Sequence, residues 1–75
     1  MKVLKGELIQ DCVVVLRAEE QYTNQKDFFV ALVSISDALN IGVPIWTMKE
    51  DELLSRKKEV FFPLEDGKVL RIYID

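Results

Sequence analysis

The chain has 75 residues, 49% of them apolar, and a formal net charge of −3 from 10 basic and 13 acidic side chains. That length is one domain, 1–75, whose folding buries about 60–65% of the surface exposed by the unfolded chain. The apolar content excludes a disordered segment, which needs low hydrophobicity with high net charge, and the negative balance argues against a general nucleic-acid binder.

A single cysteine, Cys12, excludes an intrachain disulfide. It sits in the apolar run from Cys12 to Leu16, where a thiol is expected to act as a small buried hydrophobe. The opening residues Met1 to Glu7 lack the apolar core and small-residue cleavage site of a signal peptide. No stretch approaches the ~18 uncharged apolar residues that cross a bilayer. The expected location is therefore cytoplasmic, away from membranes.

The first element is the most ambiguous. As a helix over about 7–21, Leu8, Ile9, Cys12, Val13, Val15 and Leu16 share one broad face. The run Val13 to Val15 favours a strand, because β-branched side chains lose rotamer freedom in a helix. Glu7 and the polar cluster Arg17 to Gln21 tip the expectation towards helix.

A second helix is predicted over 24–40. Thr23 or Asn24 serves as its N-cap, and Phe28, Ala31, Leu32, Ile35, Ala38 and Leu39 recur at helical spacing. Gly42 suits the left-handed residue that closes a helix, and Pro44 blocks its continuation. Phe29, Val30 and Val33 fall outside the main stripe and give this helix a second apolar surface.

Val43 to Thr47 reads as a short strand. Thr47 followed by Glu50 resembles a capping box, in which each side chain satisfies the other residue's backbone N–H. A short helix over 48–55 follows.

The C-terminal segment reads as a hairpin, 59–64 paired with 68–74. A two-residue turn on Asp66-Gly67 would place Pro63, which has no N–H, at a hydrogen-bonded site. A three-residue loop, a type I turn with Gly67 left-handed, pairs Leu64 with Lys68 and moves Pro63 to a non-bonded site. That register gathers Val60, Phe62, Leu64, Leu70, Ile72 and Ile74 on one face and Glu59, Phe61, Pro63, Val69, Arg71 and Tyr73 on the other. Pro63 also marks the first strand as an edge. The predicted architecture is thus α+β, with the helices packed on one face of a small antiparallel or mixed sheet.

The catalytic inventory is sparse. Histidine is absent, so the commonest general base and metal ligand is missing. Gly6, Gly42 and Gly67 are too scattered for a phosphate loop. The acidic clusters Glu19-Glu20, Glu50-Asp51-Glu52 and Glu65-Asp66 lack calcium-loop spacing. No enzyme activity, cofactor or metal is expected.

Two functional expectations remain. The first is a non-enzymatic protein-interaction or regulatory module that binds a protein partner or itself as a homodimer. Its contact residues are Phe61, Arg71 and Tyr73 on the second hairpin face, together with Trp46, because aromatics and Arg dominate interface hot spots. The second is a winged-helix-like DNA-binding protein, with Ala38 to Val43 as the turn, the hairpin as wing and Arg56, Lys57, Lys58, Lys68 and Arg71 on phosphates. Glu50, Asp51 and Glu52 on the presumed recognition helix weigh against it.

Overall fold

A computed structural model describes residues 2–75. Its element order is β1 (Lys2–Gln10), β2 (Val13–Tyr22), α1 (Gln25–Ala38), α2 (Met48–Lys57), β3 (Glu59–Pro63) and β4 (Lys68–Tyr73), with a single 3-10 turn, Glu65–Gly67, between β3 and β4. The strands form one antiparallel sheet in the order β2-β1-β4-β3. The α+β class and the helices on one face of the sheet are as expected.

The helix expected over 7–21 is instead a β-hairpin. Asp11 and Cys12 both take left-handed backbone, φ 53° and 66°. Two such residues in succession make the turn whose twist matches its flanking strands. The Val13 to Val15 run was therefore the correct local signal. Cys12, expected to be buried, is exposed at this turn.

β1 has also displaced the strand expected at 43–47. It pairs with β4 from Lys5↔Tyr73 to Gln10↔Lys68, so β4 is central and has no ladder left to offer. Val43 to Thr47 runs as a connection without strand pairing.

α1 is capped by Asn24, whose side chain accepts from the Asp27 N–H at 3.0 Å. It ends two residues before the expected limit. The left-handed residue is Asn40, φ 58°, rather than Gly42. The Asn40 N–H donates to Asp37 and the Ile41 N–H to Ser36, both at 3.0 Å, which is the double closure of a Schellman motif. α2 has its capping box on Thr47 and Glu50 and runs two residues beyond the expected 55. Lys58, left-handed at φ 67°, turns the chain directly into β3.

The β3–β4 register is the one chosen from the sequence, with Phe61 opposite Arg71 and Glu59 opposite Tyr73. The Leu64 N–H donates to the Lys68 carbonyl at 2.8 Å. The turn differs in detail: Asp66 as well as Gly67 has positive φ, so it is not the type I turn expected.

The core lies between the sheet and the helices. Leu4, Leu8, Val60, Leu70 and Ile72 from the strands meet Phe28, Ala31, Leu32, Ile35, Leu39 and Leu54 from the helices. Phe62, Leu64 and Ile74 pack against this cluster, so the apolar side of the hairpin faces inward as predicted. A row of ring contacts, Tyr22–Phe28 at 5.3 Å, Phe28–Trp46 at 5.0 Å and Trp46–Phe62 at 5.9 Å, ties the α1–α2 connection to the core. Phe29, Val30 and Val33 stay exposed on the outer side of α1, so that helix is not sandwiched within the domain.

Candidate partner-binding face of the sheet

Directly opposed residues in an antiparallel sheet share a face. Both helices lie on one side, so strand register alone defines what the other side presents. Three transverse rows result. One runs Arg17, Glu7, Arg71, Phe61 across β2, β1, β4 and β3. The next runs Glu19, Lys5, Tyr73, Glu59. The third is apolar: Val14, Ile9, Val69, Pro63.

Glu7 is the hub of the first row, and Arg71 links that row to the second. Glu7 is only 8% exposed although it sits on the open face. Its two carboxylate oxygens are shared between arginines, Oε1 with Arg71 Nη1 at 3.0 Å and Oε2 with Arg17 Nε at 3.3 Å. Arg71 also donates from Nε to Glu59 Oε1 at 2.8 Å. Its guanidinium lies 3.8 Å from the centre of the Tyr73 ring, a cation–π contact. The hydrogen bond to Glu59, and then the one to Glu7, hold the Arg71 pKa above its ordinary value. Lys5 pairs with Asp75 at 2.8 Å and leans over the other side of this cluster, 5.9 Å from the Tyr73 ring.

Of the four residues singled out in the sequence, the structure gathers three. Arg71 and Tyr73 form the stacked pair, and Phe61 stands beside them, 52% exposed. Trp46 is not with them. It lies on the helix-covered side, half-buried between Phe28 and Phe62. Lys5, Glu7, Arg17 and Glu19 were missed, because a helix over 7–21 puts them on no common surface with the C-terminal hairpin. The β-branched run Val13 to Val15, taken as the start of a strand hairpinned against Lys2–Gln10, was the signal that could have found them.

The charged groups of this face are engaged mainly with one another. Lys5, Arg17 and Arg71 balance Glu7, Glu19 and Glu59, and the two arginines each engage a carboxylate. Among the described residues, no three His, Cys, Asp or Glu side chains come together to hold a metal ion. No helix of the described residues is long and apolar enough to cross a membrane. Comparison of the chain with protein-family models, with curated proteins and with solved structures finds no match.

The segment expected to form a helix-turn-helix corner is open. Leu39 through Thr47 separates α1 from α2, and Ile45, at 83% exposure, projects from it. Lys49, Arg56 and Lys57 on α2 are offset by Glu50, Asp51 and Glu52.

Proposed function

We propose that this chain is a non-enzymatic protein-interaction module that self-associates and presents the open face of its sheet to a protein partner. One observation carries the reading: an uncovered sheet face holds an exposed Phe61 next to an arginine already fixed in place by Glu7, Glu59 and Tyr73. A side chain held before binding loses little conformational entropy on contact. Aromatic and Arg side chains at the centre of a contact carry a disproportionate share of binding energy. Pro63, Val69, Ile9 and Val14 extend the apolar surface beyond Phe61. With Asp75 beside Lys5, the acidic groups of this face outnumber the basic ones by one, which offers no attraction to a polyanion and suits the mixed surface of another protein.

The test compares wild type with Phe61→Ala and Tyr73→Ala as bait in the cells of origin, after circular dichroism has shown both variants folded. The reading requires a protein retained by wild type, lost from both variants, and bound again when supplied purified. Indistinguishable behaviour of the three baits overturns the open face as the docking surface. A salt-dependent shift of duplex DNA that disappears when Arg56, Lys57 and Lys58 are changed to Ala would replace this reading with the DNA-binding one.

A further inference from the structure

We infer that two copies of this chain join edge to edge, β2 against β2, antiparallel about a two-fold axis through Ala18. The inference rests on the self-association proposed above and names its surface, its register and its partner.

The two edges of the sheet are unlike. β3 has five residues and ends in Pro63, which has no N–H to offer outward. β2 has ten residues and no proline. An exposed edge of that length is a template for another strand. α1 packs across the inner side of β2, where Ser34 Oγ donates to Glu20 Oε1 at 2.8 Å, but it leaves the outer edge open, and Arg17, Glu19 and Gln21 are all exposed. Leu16 and Glu20, on the helix side of β2, remain exposed.

Backbone parity then limits the register. The Leu64 N–H bonds to Lys68 and the Ile74 N–H to Lys58, so β3 and β4 exchange hydrogen bonds at even-numbered residues. Alternation along each strand carries this across the sheet. The odd residues of β4 bond to Lys5, Glu7 and Ile9, and the even residues of β1 bond to β2. Arg17, Glu19 and Gln21 are therefore left with N–H and C=O turned out of the sheet. The irregularity in β1–β2 pairing, between Leu8 and Ile9, lies beyond this stretch.

An antiparallel copy must bond to those same residues. An axis at residue 17 sets Arg17 against Arg17, and an axis at residue 19 sets Glu19 against Glu19. Like charges directly opposite are unfavourable. An axis at Ala18 sets Arg17 opposite Glu19 of the second copy, and Glu19 opposite its Arg17. It also pairs the regular part of β2 with itself, from Leu16 to Glu20, clear of the irregularity at Val15. Ala18 meets its own copy at a non-bonded site, where Cα atoms approach to about 4.5 Å and a small side chain fits. The open faces of the two copies then lie on the same side and merge, leaving Phe61 free at each far edge.

Ala18→Cys in a Cys12→Ser background tests the register, since a Cα separation of about 4.5 Å is within disulfide range. Mild oxidation should convert this variant to a covalent dimer, whereas Glu20→Cys in the same background, facing Leu16 of the other copy, should not cross-link. Sedimentation should show Arg17→Glu and Glu19→Arg each weakening the dimer by about tenfold or more, through two repulsive pairs per dimer, and the double exchange restoring it. Arg17 also touches Glu7, so Glu19→Arg carries the test if Arg17→Glu fails to fold. A dimer indifferent to these changes, with no cross-link at residue 18, overturns the β2 interface while leaving self-association standing. A wild-type monomer at millimolar concentration overturns both.

Discussion

Glu7 on β1 and Arg71 on β4 are direct cross-strand neighbours joined at 3.0 Å, on the side of the sheet that no helix covers. The Glu7 side chain is 10% exposed, that of Arg71 29% and that of Arg17 72%. The screening of the two ion pairs therefore differs. A water-facing pair contributes little, whereas a charged hydrogen bond at a sheltered site contributes about 1.5–3 kcal/mol. Glu7→Gln should lower stability by about 2 kcal/mol in urea unfolding. Double-mutant cycles should assign most of that to Arg71, using Arg71→Met, and little to Arg17, using Arg17→Met. Equal coupling to both arginines would contradict this picture.

Gly6 is required by the distance between β1 and α1. A methyl group there would lie 2.5 Å from Ile35 Cγ2 and 3.4 Å from Ile72 and Leu39 methyls. The Ile35 atom branches at Cβ and has little freedom to swing away. Gly6→Ala should therefore cost about 1–3 kcal/mol through overpacking, although alanine is otherwise no worse than glycine in a strand. Ile35→Ala alone should cost about 2–5 kcal/mol by leaving a cavity. Combined, the two should cost clearly less than their sum, because the new methyl occupies space the isoleucine has left. Additive losses would show that α1 shifts rather than clashes.

The C-terminal hairpin was legible because two unrelated constraints agreed. Alternating apolar residues chose one register, and the missing N–H of Pro63 chose the same one, which places Phe61, Arg71 and Tyr73 together from the sequence. α1 was legible through its 3.6-residue stripe and the Asn24 cap. The N-terminal hairpin was hidden for physical reasons. Its turn uses left-handed Asp11 and Cys12 instead of a glycine, so nothing interrupted the helical pattern. β2 is an edge strand whose residues Arg17 to Gln21 are mostly exposed on both faces, so it lacks the alternation that marks a half-buried strand. Half of the candidate face went unseen with it. The segment 43–47 has strand-like composition, but β1 occupies the side of β4 against which it would have to pair, and no local pattern encodes that long-range competition.

Trp46 fills its place by shape rather than by hydrogen bonding. Its indole Nε1 is buried with no acceptor among the described residues, while its rings contact Phe28 and Phe62. An unsatisfied buried donor costs about 1–3 kcal/mol. Trp46→Phe removes that penalty and gives up some packing, so its net effect on stability should stay below about 1 kcal/mol. Trp46→Ala, which empties the space between α1 and β3, should cost about 3–5 kcal/mol. Chemical unfolding followed by circular dichroism reads both, since the chain has no other tryptophan. A Trp46→Phe loss as large as that of Trp46→Ala would mean that the indole nitrogen has a partner in solution.

The capping box gives stability a pH dependence of defined sign. Glu50 accepts from the Thr47 hydroxyl and from the Thr47 N–H, the latter at 2.7 Å. The hydroxyl is the larger cause and the N–H the second in holding the Glu50 carboxyl below its ordinary value. A carboxyl whose folded pKa is depressed contributes stability that is fully present above its unfolded pKa and fades as pH falls through the folded one. Thr47→Val keeps the backbone donor and removes the hydroxyl, so the Glu50 pKa should rise part of the way back, as read by carboxyl carbon NMR. The melting-temperature difference between wild type and Thr47→Val should accordingly be widest near neutral pH and narrow as the solution is made acid. It should not close completely, because the Thr47 hydroxyl also accepts from the Lys49 N–H at 3.2 Å, a cap that does not titrate. A Glu50 pKa unmoved by Thr47→Val would show that the box is open in solution.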